Sequence, residues 1–207
     1  MVVPDRGSNA PAVNTPLAKD TAVPKTSETT STTKRAKERS GDAIALLSKD
    51  HDNVKKLFKQ YEKIKESASG EEKAALAAQI CLELTVHAQV EEELVYPAVR
   101  EAIDDDDLMN EAEVEHASAK DLIAQIGDMD PEDEFFDAKV KVLGEYIDHH
   151  VKEEESEMFP KAKKAKVDLE TLGAAIEVRK EELMAEMAAD GDEETSVMPK
   201  AKGRSSR

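Results

Sequence analysis

HAQVEEELVYP, from His87 to Pro97, and HVKEEESEMFP, from His150 to Pro160, follow one order of residues. Each opens on a His, has a Glu-Glu pair beginning four positions later, and closes on an aromatic residue and a proline at the same offset. Helical residues four apart lie on one face, one turn above the other. His87 and Glu91 therefore aim at one spot, and so do His150 and Glu154. The spacing predicts two helices, each presenting an imidazole and a carboxylate to a common point.

A second matched pair precedes them. DHDNVKKLF, starting at Asp50, aligns with EHASAKDLI, starting at Glu115: an acid-His pair, a Lys four residues after the His, and two apolar residues beyond. The chain thus repeats a two-helix unit, His51 to His116 and His87 to His150. Two such units close into a bundle with a pseudo-twofold axis through its core.

Around these segments, apolar or small residues recur every three or four positions, the period of a helix with one buried face. The first stripe is Ile44, Leu47, His51, Val54, Phe58 and Tyr61, and the second is Leu76, Ile80, Leu84, His87, Glu91, Leu94 and Ala98. The third is Met109, Ala112, His116, Ala119, Ile123 and Ile126, and the fourth is Phe136, Val140, Leu143, Ile147, His150 and Glu154. Ser69-Gly70 is read as the end of the first helix, the Asp104–Asp107 run as the start of the third, and Asp130-Pro131-Glu132 as the cap and first turn of the fourth. Short junctions favour antiparallel neighbours.

The expected fold is all-α: an up-and-down antiparallel four-helix bundle over residues 41–165. A further helix is expected over 166–190, with Leu169, Leu172, Ile176 and Met184 on its apolar stripe. Residues 1–40 contain eleven Ser or Thr, four prolines and no aromatic residue, too little apolar surface to offset the entropy of ordering. They are read as a disordered tail, with the basic stretch KRAKER (34–39) as a solvated leader, and residues 191–207 as a flexible tail.

Composition limits the function. Of the 207 residues, 36% are charged and 3% aromatic, which suits helices and speaks against an all-β sandwich. The net charge of −17 repels phosphate backbones and anionic lipid, so neither a nucleic-acid nor a membrane partner is expected. No apolar run approaches a bilayer span and the N-terminus lacks a hydrophobic signal core; the reading is a soluble, cytoplasmic protein. The single Cys81 allows no internal disulfide and is read as structural.

Every stripe carries a His, and two add a Glu. A polar group on an inward stripe costs several kcal/mol to desolvate unless something pairs with it. Imidazole with carboxylate suits iron, zinc or manganese. Two carboxylates between two His pairs suit a dinuclear centre, its metals about 3.5 to 4 Å apart. The metal ligands expected are His51, His87, Glu91, His116, His150 and Glu154, and no residue is assigned a catalytic role. The remaining acids of Glu91–Glu93 and Glu153–Glu155 are read as solvated, and Tyr96, Phe159, Tyr61 and Tyr146 as packing residues. Pro97 and Pro160 are read as kinks.

Over about residues 42–163 the chain resembles the hemerythrin-like, or HHE cation-binding, proteins. The resemblance implies two non-haem iron ions in an oxo- or hydroxo-bridged di-iron centre, open to O2 or a related ligand such as NO or peroxide. Carried over by position, His51, His87, His116 and His150 are terminal ligands, and Glu91 and Glu154 bridge. Oxygen-carrying hemerythrins have a second His one turn after the third-helix His; here that position is Lys120, which opens positions on both metals unless Glu83 or Glu113 fills the gap. The expected function is binding of O2 or a related small ligand for sensing, buffering or stress protection. The alternatives are a di-iron oxidase or peroxide-removing enzyme, and an iron-responsive interaction module. Ferritin-like enzymes match less well, because their paired motif is Glu-x-x-His.

Overall fold

The computed structural model describes residues 41–196, so the readings made for 1–40 and 197–207 lie outside the described residues. Helix α1, Ala43–Ile64, is capped by Asp42, whose side chain accepts the Ala45 N–H at 2.9 Å. It buries Ile44, Leu47, His51, Val54 and Tyr61 on one face. Ser69-Gly70 does not close α1. It opens α2, Gly70–Val90, where Ser69 and Glu72 form a reciprocal capping box.

Helix α2 passes into a π-helical turn, π1 (Glu91–Val95), and then a short α3 (Tyr96–Ala102). Helix α4, Asp106–Gly127, is capped by Asp105. Asp130 does not cap the next helix either. It accepts the Glu132 N–H at 2.9 Å, and Asp133 accepts the Phe135 N–H at 2.8 Å. These two Asp-centred turns take up the backbone donors locally, and α5 begins only at Phe136, running to Glu153.

The second unit then repeats the first: π2 (Glu154–Met158) and a short α6 (Phe159–Ala165). Lys166, at φ 61°, ends α6 in the left-handed conformation and turns the chain into α7, Leu169–Ser196. The helix runs past the limit at residue 190 read from the sequence, since extending a formed helix needs only one residue fixed per added bond.

α1 packs on α2 and α5, and α4 packs on the same two, which leaves α1 and α4 diagonal: an up-and-down four-helix bundle. No strand occurs among the described residues. α7 lies outside, against α1, α2 and π1. It is held by Ile176 and Leu183, both fully buried, each contributing on the order of 1.5–3 kcal/mol. Met184, placed on the buried stripe by the sequence reading, is exposed; Leu183, two turns from Ile176, takes that role.

The interior forms two apolar clusters. One, at the start of α1 and α4, contains Leu47, Val90, Met109, Met158 and Ile176. The other contains Tyr61, Ile80, Phe136, Val140 and Leu143. Tyr61 is a core residue whose hydroxyl donates to Asp137 at 2.6 Å. Tyr146, read as packing, is exposed.

Candidate metal centre

Between the two apolar clusters lies a polar layer. His51, His87, His116, His150, Glu91 and Glu154 are all buried, the two carboxylates at 0% and 1% exposure. His51 Nε2 lies 3.2 Å from His87 Nε2, and His116 Nε2 lies 3.0 Å from His150 Nε2. Glu91 Oε2 is 3.2 Å from His87 Nε2 and 3.4 Å from His116 Nε2. Glu154 is 3.2 Å from His51 and 3.7 Å from His150. Each carboxylate therefore spans both His pairs. His51, His87, Glu91 and Glu154 offer ligand atoms within 4.8 Å of one another, and so do Glu91, His116 and His150.

The glutamates sit where the helices change hydrogen-bond register. Glu91 opens π1 and Glu154 opens π2, with the N–H of Tyr96 reaching back to the Glu91 carbonyl and that of Phe159 to Glu154. Such single π turns concentrate at functional sites. Pro97 and Pro160 follow in the first turn of α3 and α6, so the expected kinks take the form of π turns just before the prolines.

Behind each imidazole stands a second carboxylate. Glu155 is 3.0 Å from His51 Nδ1, and Glu92 is 3.0 Å from His116 Nδ1. Glu115 is 2.7 Å from His150 Nδ1, while Asp50 faces His87 Nδ1 at the longer distance of 3.5 Å, where neither Asp50 Oδ2 nor His87 Nδ1 has a hydrogen bond. A carboxylate on Nδ1 keeps the proton there and turns the Nε2 lone pair inward, as on metal-ligating histidines. The repeat is obeyed throughout: Glu92 and Glu155 match, and so do Asp50 and Glu115. None of these four was read from the sequence as part of the site, although the acid-His pairs pointed to Asp50 and Glu115.

Lys120 takes no place in the layer. Its ammonium pairs with Glu92, behind His116. Neither Glu83 nor Glu113 belongs to the groups that share a metal position, and Glu113 meets Arg100 at 2.8 Å. Tyr96 enters instead. Its hydroxyl donates to Glu154 Oε1 at 3.2 Å and lies 3.0 Å from His116 Nε2. At the matching position Phe159 stacks parallel to His51, with centroids 6.0 Å apart.

The electrostatics are those of a layer that needs cations. Both Glu91 oxygens and Glu154 Oε2 are buried with no hydrogen-bond partner, a costly arrangement for carboxylates. Burial, reinforced by the charge of Glu154, raises the Glu91 carboxyl. Burial also acts on Glu154, but the facing His51 imidazole and the other imidazoles around it outweigh it and hold that carboxyl low. Burial would lower His51, yet Glu154 lifts it to about 9. Burial and both carboxylates push the Tyr96 phenol well up. Borderline N/O donors with orphaned, buried carboxylate oxygens fit bound metal cations.

A small cavity of about 20 Å³ adjoins the four imidazoles, walled by Val54, Leu84, Ala119, Ile123, Ile147 and Val151. It has room for about one water-sized molecule. A third His/Glu group, Glu115, His149 and Glu153, lies at the surface of α4 and α5.

The family model described as the hemerythrin HHE cation-binding domain matches residues 42–162. The chain is similar to the crystal structure of a hemerythrin HHE cation-binding domain-containing protein from Mycobacterium kansasii. The identity is 25% and the TM-score 0.59, covering 70% of this chain and 89% of that one. It is also 32% identical over 114 residues to a protein of Nostoc sp. named a DNA nickase, which covers 55% of this chain and only 31% of that protein's length.

Proposed function

Since the chain belongs to the hemerythrin HHE cation-binding domain family, we propose that His51, His87, His116 and His150 hold two metal ions, with Glu91 and Glu154 bridging them. The ions proposed are non-haem iron, and the ligand is O2 or a related small molecule such as NO or peroxide, bound for sensing, buffering or stress protection. Bound iron supplies Lewis acidity and one-electron redox change. The observation that carries this reading is the convergence of four imidazole Nε2 atoms on two buried carboxylates with three orphaned oxygens.

The chain's own residues supply the rest. Glu92, Glu155 and Glu115 keep the Nδ1 protons of His116, His51 and His150 in place, and Asp50 faces the Nδ1 of His87 as a charge at 3.5 Å. Val54, Leu84 and Ile147 make the adjoining cavity apolar and small, which favours a diatomic or peroxide-sized guest over a larger or charged one. Tyr96 brings a proton donor to Glu154.

The test is the metal content of protein purified without oxygen, followed by its visible spectrum before and after O2 is admitted. About two irons per chain with a reversible charge-transfer band support the reading. Two irons that oxidise irreversibly favour an oxidase or peroxide-removing role. No iron uptake rejects the proposal.

A further inference from the structure

Asp50 precedes His51 on α1, but its carboxylate serves His87. Its Oδ2 faces His87 Nδ1 at 3.5 Å, and its Oδ1 accepts from Lys180 Nζ at 2.6 Å. Lys180 lies on α7, outside the bundle, and Asp50 is buried. A helix beyond the repeated unit thus supplies the cation that holds a carboxylate against a histidine of the polar layer.

Among the described residues no cation from outside the repeated unit meets the other half, where Lys120 of α4 itself pairs with Glu92 behind His116. Glu115 sits where Asp50 sits and takes His150 Nδ1 at 2.7 Å. Its second oxygen is 3.5 Å from His149, which is 60% exposed. No described helix packs over α4 and α5 as α7 packs over α1 and α2; Val114 and Tyr146 there face solvent. The two halves match in their imidazoles, bridging carboxylates and supporting acids, and differ in whether an outer helix pins the acid.

We propose that α7 is a clamp acting through Lys180: by fixing Asp50 it positions His87, so that the metal held by His51 and His87 depends on α7 being docked while the metal held by His116 and His150 does not. The proposal rests on the dinuclear reading above. A buried carboxylate without its cation turns to other partners, and its histidine loses the facing charge that orients its ring. Two further contacts fasten the clamp. Arg179, beside Lys180, bonds Glu93 of π1 at 2.7 Å, and Gly173 lies against the backbone of Gly41 and Ala43. Lys180 is accordingly a positioning residue, and α7 gives the chain a means of making one metal position conditional.

The test compares full-length wild type with K180M, K180R and G173L, using Zn²⁺ as a redox-silent probe in competition with a chromophoric chelator. Circular dichroism checks that each variant folds. K161M, which breaks a half-buried pair with Asp105 away from the polar layer, serves as control. Wild type and K161M are expected to bind two equivalents. K180M and G173L are expected to bind one of them about 10 to 100 times more weakly, with K180R close to wild type. In the metal-free proteins, ¹⁵N spectra of the imidazoles are expected to shift at His87 in K180M and to stay in place at His150. Unchanged binding in K180M, equal weakening of both equivalents, or an unmoved His87 signal overturns the clamp. Failure of wild type to bind Zn²⁺ or iron overturns the metal reading itself, whereas two tight equivalents in both wild type and K180M overturn the clamp alone.

Discussion

Tyr96 and Phe159 occupy the same place in the two halves of the repeat, and a single hydroxyl separates what they do. The Tyr96 oxygen lies 3.2 Å from Glu154 and 3.0 Å from His116, whereas the Phe159 ring stacks on His51 and offers no donor. The two halves of the polar layer are thereby made chemically unequal on the His116 side.

Tyr96→Phe makes the two aromatic positions alike. The variant is expected to fold with unchanged helix content and to lose about 1 kcal/mol in metal-free denaturation, because Glu154 forfeits a donor. Iron-loaded variant and wild type are expected to differ in their visible spectra while binding the same number of metals. Identical spectra would remove Tyr96 from the centre.

Glu91→Gln should trade binding for stability. Burial and the neighbouring Glu154 raise the Glu91 carboxyl in the metal-free fold. For a raised acid, the stabilising contribution is fully present below the unfolded carboxyl value of about 4.3. It is lost as pH rises through the folded value. At neutral pH the metal-free E91Q protein is expected to be more stable than wild type by about 1–3 kcal/mol, with a weaker pH dependence, and to bind metal poorly. Urea unfolding from pH 4 to 8 in chelator, beside a metal titration, measures both effects.

Metal should be felt as folding free energy. A ligand at about 1,000 times its Kd stabilises the native state by about 4 kcal/mol. For a domain of this size that is a rise in Tm on the order of 10 °C. Scanning calorimetry with metal and with chelator reads the difference; coincident melting curves would contradict a centre held by buried ligands.

Gly173→Ala should loosen α7 alone. A Cβ at this position would collide with the Gly41 carbonyl oxygen and come within 2.9 Å of the Ala43 nitrogen. Both are backbone atoms, so the helix must shift, at a cost of about 1–3 kcal/mol. Hydrogen exchange is expected to speed up across α7 and to remain as in wild type across α4 and α5.

Cys81 should be a slow thiol. Burial pushes it up to about 11, which leaves about 100-fold less thiolate near pH 8 than an ordinary cysteine holds. Iodoacetamide labelling of folded protein is expected to be slower than that of urea-unfolded protein by about that factor.

The helical stripes and the paired motifs were legible because helical period and internal repetition both leave marks on residue order. His87 with Glu91, and His150 with Glu154, follow from a spacing of four alone. Glu92 and Glu155 were not legible as part of the site. On a regular helix the residue after an inward Glu points elsewhere, and both reach Nδ1 atoms on other helices from within π turns. The π turns change a hydrogen-bond register without changing composition; their one trace is a proline at the same offset in each half. Tyr96 escaped because a buried phenol and a buried phenyl look alike to hydropathy. Ser69 was misplaced by one junction: Ser-Gly suits a helix end as readily as a start, and Glu72 decides for the start.

The polar layer also divides the bundle's interior, with Leu47 and Met109 packed on one side and Ile80 and Leu143 on the other. Folding cooperativity must pass through that waist. With cations in place the two ends are tied by ligands drawn from α1, α2, α4 and α5. Without them, the continuity between the ends rests on a stratum of mutually repelling carboxylates. The metal-free protein is then the one whose calorimetric enthalpy should exceed its van't Hoff enthalpy, each end of the bundle melting on its own terms.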